Sequence, residues 1–180
     1  MNINIKHILL AEDDPRDAKL TMAALEEYNL ANKVYAVHDG EAVLDYLNCE
    51  GKFKGRAGGN PVAILLDLKM PKVDGLEVLK IIKADKKLKT IPVVVLTSSR
   101  ETPDLIECYE HGVNAYVVKP VEFDAFAKAV KQLGVFWAAV NEPPPMGVEE
   151  DISIPGSDAI TPGKKAMKHE IPASHPAPGR

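Results

Sequence analysis

The stretch Ile8-Leu9-Leu10-Ala11-Glu12-Asp13-Asp14-Pro15 decides how this chain folds. Its four leading residues are apolar without interruption, which suits a strand buried on both faces; a half-exposed strand would alternate apolar and polar side chains. The run stops at three acids and a proline. Asp14 followed by Pro15 reads as N-cap and first residue of a helix, because a side-chain oxygen at the cap accepts an orphan backbone N–H and proline needs none. A buried strand passing directly into a helix is the first half of a βα unit.

Further apolar runs follow at 33–37, 62–66, 93–96 and 115–118, each continuous like the first, at 7–11. Helical patterns lie between them. Residues 15–28 place Ala18, Met22 and Leu25 on one face, and residues 75–84 do the same with Leu76, Leu79 and Ile82. Residues 41–49, 102–111 and 122–139 supply three more helices, with Gly112 as the C-cap of the fourth. Strict strand–helix alternation predicts an α/β fold, a doubly wound five-stranded parallel sheet with five helices.

Composition sets the outer limits. Of 14 prolines in 180 residues, eight lie after Asn141, where no Phe, Trp or Tyr occurs. Such a segment buries too little apolar surface to offset its ordering entropy, so the expectation is a folded domain over 1–142 and a Pro-rich, disordered tail over 143–180. With 22 Lys and Arg against 26 Asp and Glu, the net charge is -4. That balance argues against direct binding to nucleic acid or to an anionic membrane. Cys49 and Cys108 stand far apart with no Cys or His at ligand spacing, which excludes a zinc site and a disulfide framework. The run at 8–11 is too short, and too acidic in its flank, for a signal peptide, and no apolar stretch approaches the roughly 18 residues of a membrane span. The expected location is the cytoplasm.

In an open parallel sheet the functional crevice lies beyond the carboxyl ends of the strands. The first run ends in Glu12 and Asp13, the third in Asp67, the fourth in Thr97 and the fifth in Lys119. Three carboxylates brought together repel one another unless a cation neutralises them, and an all-oxygen set favours a hard divalent ion such as Mg2+. Lys119 and Thr97 add a positive charge and a hydroxyl donor, equipment for holding phosphoryl oxygens. Singly, each residue is an ordinary cap or a solvated loop residue, as Asp14 is. Four of five strand ends carrying complementary groups is a coincidence that independent caps do not produce.

The runs Ile8-Leu9-Leu10-Ala11-Glu12-Asp13-Asp14, Leu65-Leu66-Asp67-Leu68-Lys69-Met70-Pro71 with Asp74-Gly75, Val95-Leu96-Thr97-Ser98-Ser99 and Ala115-Tyr116-Val117-Val118-Lys119-Pro120 together resemble the receiver domain of two-component response regulators. The resemblance spans residues 1–140, with the four motifs in order and at the right spacing. It implies a flavodoxin-like strand order 2-1-3-4-5 and Asp67 as the acceptor of a phosphoryl group from a sensor histidine kinase. It further implies Asp13 as a direct Mg2+ ligand, Glu12 as an acidic partner acting through water, and the carbonyl of Lys69 as a backbone ligand. Thr97 becomes the switch hydroxyl, Lys119 the phosphate-binding lysine, and Tyr116 the aromatic whose rotamer follows the signalling state; Lys119-Pro120 is expected to be cis. Glu12 stands where the family more often has Asp, which bears only on metal geometry.

Phe136, Trp137, Asn141 and residues 142–145, with the loop at 98–101, resemble the stand-alone receivers paired with bacterial phytochromes, which implies a phytochrome-type kinase as partner. With no output domain expected after Asn141, signalling would run through phosphorylation-dependent protein contacts, and enzymatic activity would be limited to the chain's own phosphorylation and dephosphorylation. Two other classes share parts of this pattern. A phosphatase with an aspartyl nucleophile needs a second acid two positions on, where this chain has Lys69. A flavin-binding electron carrier needs a Ser/Thr/Gly-rich loop after the first strand, where this chain has acids. The basic, glycine-rich segment 52–59 lacks GxxxxGK[ST] and precedes a strand, so it reads as a flexible surface loop. On the last helix Phe126, Val130, Leu133 and Trp137 form one stripe that Phe136 and Val140 widen; core packing and cover of the first helix account for such a stripe, and the surplus points to contact with a partner protein or a second copy in a homodimer.

Overall fold

Each buried strand hands its chain to a helix that returns across the sheet, and the result is a parallel sheet in the order β2-β1-β3-β4-β5. A computed structural model describes residues 7–26, 34–57, 59–120 and 122–143. The strands are β1 (Ile8–Ala11), β2 (Val34–Val37), β3 (Ala63–Leu66), β4 (Val93–Thr97) and β5 (Ala115–Val118). Interleaved with them are α1 (Pro15–Glu26), α2 (Gly40–Asn48), α3 (Gly75–Ala84), α4 (Thr102–Glu110) and α5 (Phe123–Val135). The tail expected from 143 onward lies outside the described residues beyond Pro143, as do the ends of the first expected helix at 27–28 and of the second strand run at 33.

The two-layer core follows from strand alternation. Leu9, Ile64, Leu66, Val93 and Val95 face Val43, Val78, Leu79, Ile82 and Cys108 on α2, α3 and α4. Ile8, Leu10, Leu65, Val94 and Leu96 face the other way, toward Leu25 of α1 and Phe126 and Val130 of α5. β1, β3 and β4 are buried at every position, as their unbroken apolar runs require. Among the described residues no helix is long and apolar enough to cross a membrane.

Local chemistry sets the helix ends. Asp14 Oδ1 accepts the Arg16 N–H at 2.8 Å, as expected of the cap. Asp39 and Asp74 cap α2 and α3 in the same way, accepting from the N–H groups of Ala42 and Glu77. Gly112, at φ +79°, closes α4 with Gly112 N–H on Tyr109 O and Val113 N–H on Cys108 O, a Schellman pattern. Beyond Val135 the last helix widens into a π-helical turn over Phe136–Val140, where Asn141 N–H reaches Phe136 O at 2.7 Å.

The segment expected as a free surface loop at 52–59 is anchored instead. A 3-10 turn at Gly51–Phe53 buries Phe53 against Tyr46. The Arg56 guanidinium lies 4.1 Å from the Tyr46 ring centre and its Nε donates to Tyr46 O at 2.8 Å. The aromatic cluster supplies the burial that composition alone did not foretell; Gly58 lies outside the described residues.

Candidate functional site

Register brings the site together before any side chain is considered. Ala11 pairs with Leu66, so Glu12 and Asp67 step off the sheet at one level; Thr97 pairs with Val118, so Lys119 follows one residue later. Backbone bonds prolong the ladder past the strand ends, from Glu12 N–H to Val37 O, Asp67 N–H to Ala11 O and Lys119 N–H to Thr97 O. The loop after Asp67 is held from both sides by helix N-termini. A Cβ on Gly75 would overlap the Asp67 carbonyl, and one on Gly40 would overlap that of Val73. Lys72 ties the same loop to α2 through Asp39 and Glu41, at 3.0 and 2.8 Å.

Carboxylate oxygens of Glu12, Asp13 and Asp67 lie within 4.8 Å of one another, an oxygen donor set that can hold a hard divalent cation. Glu12 and Asp67 are buried and Asp13 is exposed at the mouth. The Lys119 ammonium, itself buried, donates to Glu12 Oε2 at 2.6 Å and to Asp67 Oδ2 at 2.8 Å. Burial pushes the Glu12 carboxyl up from its ordinary value to about 7, although the hydrogen bond from Lys119 pulls the other way. Burial works against the charge on Lys119, but the surrounding carboxylates of Asp17, Asp67 and Glu12 more than offset it and hold the ammonium above its usual range. Asp14 lies outside this group; its cap role and the Arg16 guanidinium keep its carboxyl well below the usual range.

Thr97 is fully buried at the end of β4, and its Oγ1 accepts the Ser99 N–H at 3.2 Å. Tyr116, half-buried on β5, donates from its hydroxyl to Ser99 O at 3.3 Å. Lys69 N–H lies 3.3 Å from Asp67 Oδ1, while the Lys69 side chain turns outward to Asp104. All seven residues singled out from sequence thus gather at one edge of the sheet, Tyr116 reaching the others through Ser99. The Lys119–Pro120 peptide corrects one expectation: no cis bond occurs among the described residues, and this one has the ordinary trans form of an X–Pro bond.

Two residues escaped the sequence reading. Asp17 accepts from Lys119 Nζ at 2.8 Å, a third carboxylate on that ammonium. Its place in the first turn of α1 is readable from Asp14 and Pro15, but its lysine partner is not, since Lys119 lies 102 residues away in sequence. Ser99 joins Thr97 to Tyr116 through main-chain atoms and donates its hydroxyl to Asp104 at 2.7 Å; main-chain bonds of this kind leave no trace in composition.

Comparison with known proteins finds relatives over most of the described residues. The family model for the response regulator receiver domain matches residues 8–131. Response regulator Rcp1 of Synechocystis sp. is 39% identical over 132 residues, 73% of this chain and 88% of Rcp1. Its solved Mn2+-bound form superposes with a TM-score of 0.72 at 37% identity, over 78% of this chain and 99% of that one. The bacteriophytochrome response regulator RtBRR is 59% identical, with a TM-score of 0.63 over 78% of this chain and 85% of its own. The probable methanogenesis regulatory protein FilR2 of Methanothrix harundinacea is 40% identical over 137 residues, 76% of this chain and 86% of FilR2.

Proposed function

Because this chain belongs to the response regulator receiver domain family, signalling proteins that accept a phosphoryl group on an aspartate from a sensor histidine kinase, we propose that Asp67 is the acceptor here. The observation that carries the assignment is the buried Asp67 carboxylate, 2.8 Å from the Lys119 ammonium and within the Glu12, Asp13 and Asp67 oxygen cluster. An Asp67 carboxylate oxygen attacks the phosphorus of a phosphohistidine; the O–P bond forms as the P–N bond breaks, and the electron pair leaves with an imidazole whose other nitrogen already carries a proton. Little covalent chemistry is asked of the protein beyond position and charge.

Asp13, Asp67 and the Lys69 carbonyl would hold a divalent cation, with Glu12 acting through water. The ion is taken as Mg2+, although Rcp1 was solved with Mn2+. When bound, it neutralises the clustered carboxylates and draws charge from the phosphoryl oxygens. Lys119 offers its ammonium to one of those oxygens, and Thr97 its hydroxyl to another. Thr97 Oγ1 can donate while it still accepts the Ser99 N–H, so a shift of Thr97 toward the phosphoryl group would carry Ser99 with it. Since Tyr116 also bonds Ser99, motion at Thr97 reaches β5, and the switch biases an equilibrium between two arrangements of this face. Hydrolysis of the acyl phosphate by water at the same site would reset it.

The likeness to RtBRR supports a phytochrome-type sensor kinase as donor. The acidic balance supports a protein partner rather than nucleic acid or an anionic membrane; we take residues 1–142 as the receiver and the cytoplasm as its location. A phosphatase is disfavoured because Lys69 occupies the position of the required second acid. Intact-mass spectrometry after incubation with acetyl phosphate and Mg2+ tests the reading. One phosphoryl group is expected on the native chain and none on Asp67→Asn; full labelling of that variant at another residue would overturn the assignment.

A further inference from the structure

We propose that Asp17 is a positioning residue of the phosphoryl-transfer site, the partner that keeps the Lys119 ammonium aimed into the pocket while Glu12 and Asp67 are engaged elsewhere. The inference rests on the assignment of Asp67 as acceptor and Lys119 as the phosphate-binding lysine.

An ammonium carries three N–H donors, and Lys119 has three carboxylate acceptors: Glu12 at 2.6 Å, Asp17 at 2.8 Å and Asp67 at 2.8 Å. Two of the three belong to the oxygen cluster that can hold a metal ion; Asp17 does not. Phosphorylation turns the Asp67 carboxylate into an acyl phosphate, so the N–H that pointed at Asp67 faces the new phosphoryl oxygens. Were a cation bound, Glu12 would turn part of its charge toward it. Asp17, neither the acceptor nor a member of the metal-holding cluster, would be the partner left to hold Lys119. At 8% exposure, the lysine has little water to take the place of a lost partner.

The chain fixes Asp17 in advance. Asp14 caps the helix through Arg16 N–H at 2.8 Å and Ala18 N–H at 2.9 Å, and Pro15 sets the first turn. The same turn that lifts Glu12 and Asp13 off β1 therefore returns Asp17 to the pocket rim. A carboxylate in the first turn of a helix is favoured by the macrodipole wherever it points. That preference does not direct its oxygen onto a buried lysine that follows the far strand β5, 102 residues later.

The test measures the rate of labelling by acetyl phosphate and Mg2+, the lifetime of the phosphoryl group, and Mn2+ affinity for Asp17→Ala and Asp17→Asn. Removing a supporting partner of a reacting group is expected to slow labelling by Asp17→Ala roughly tenfold, with Asp17→Asn intermediate and Mn2+ affinity within about twofold of the native chain. In a Lys119→Met background, Asp17→Ala should add no further loss, because the two act through one contact. Labelling rate and lifetime unchanged in Asp17→Ala would overturn the proposal. So would a parallel loss of labelling and Mn2+ affinity, which marks a general structural role, or full additivity with Lys119→Met. Undiminished labelling of Asp67→Asn would instead overturn the acceptor assignment, and this inference with it.

Discussion

Burial leaves the charge of Glu12 finely balanced near neutral pH. Burial raises its folded-state pKa from 4.5 to about 7 against the pull of Lys119, so the native chain holds this proton more tightly than the unfolded one. The stability it contributes is complete below pH 4.5 and is lost as pH rises through about 7, in the metal-free protein. Divalent binding runs the other way, because a cation competes with that proton; Mn2+ affinity should rise roughly tenfold from pH 6 to pH 8 by titration calorimetry. A flat profile would mean that Glu12 is ionised throughout. The two cysteines give a second check at this scale. Burial pushes the Cys108 thiol up to about 11, whereas Cys49 is exposed, so a thiol reagent should modify one cysteine quickly and the other only on unfolding. Glu12, Asp67, Thr97 and Lys119 were legible because each directly follows an apolar run, and Asp13 because it follows Glu12. Asp17 was not, because its role depends on where a lysine 102 residues away comes to rest.

At the scale of elements, two glycines separate function from stability. Gly75 starts α3 against the Asp67 carbonyl, and Gly112 ends α4 at φ +79° with open space around it. Gly75→Ala drives a methyl group into the backbone of Asp67, the proposed acceptor, so it should cost about 1 to 3 kcal/mol and slow phosphorylation as well. Gly112→Ala meets only the left-handed backbone penalty, about 1 kcal/mol, and should leave phosphorylation intact. Thermal melting beside acetyl phosphate labelling checks both; equal labelling defects would show that α4 is coupled to the site through its C-terminus. The order of the five strands and five α-helices was legible, since continuous apolar runs and helical patterns alternate along the chain. The anchored turn at Gly51–Phe53 was not legible, because Phe53 and Arg56 acquire their places only once Tyr46 is on a neighbouring helix. Nor was the π-helical end of the last helix, whose apolar residues fit an ordinary helix equally well.

For the molecule as a whole, the outstanding question is what meets the end of the last helix. The sequence expectation of a stripe wider than packing needs is met in part: Phe126, Val130 and Ala138 are buried and Trp137 packs on the core, while Phe136 and Val140 remain 46% and 63% exposed. Two neighbouring apolar side chains in water are a small patch, sufficient for a weak contact between copies and too small for an obligate one. The proposed switch would reach it, because Thr97 and Tyr116 share Ser99, Tyr116 lies on β5, and β5 and α5 belong to the same core layer through Ala115, Val117, Phe126 and Val130. A phosphoryl group shifts association only by its differential effect on the two arrangements, so a modest change in dimer constant is expected rather than conversion of the whole population. Sedimentation with and without a beryllofluoride mimic, on the native chain and on Phe136→Ala with Val140→Ser, measures it. Phosphorylation-linked association that disappears in the double variant would place the contact here; equal constants in all four samples would leave Phe136 and Val140 as solvent-facing residues and move the output surface elsewhere on the domain.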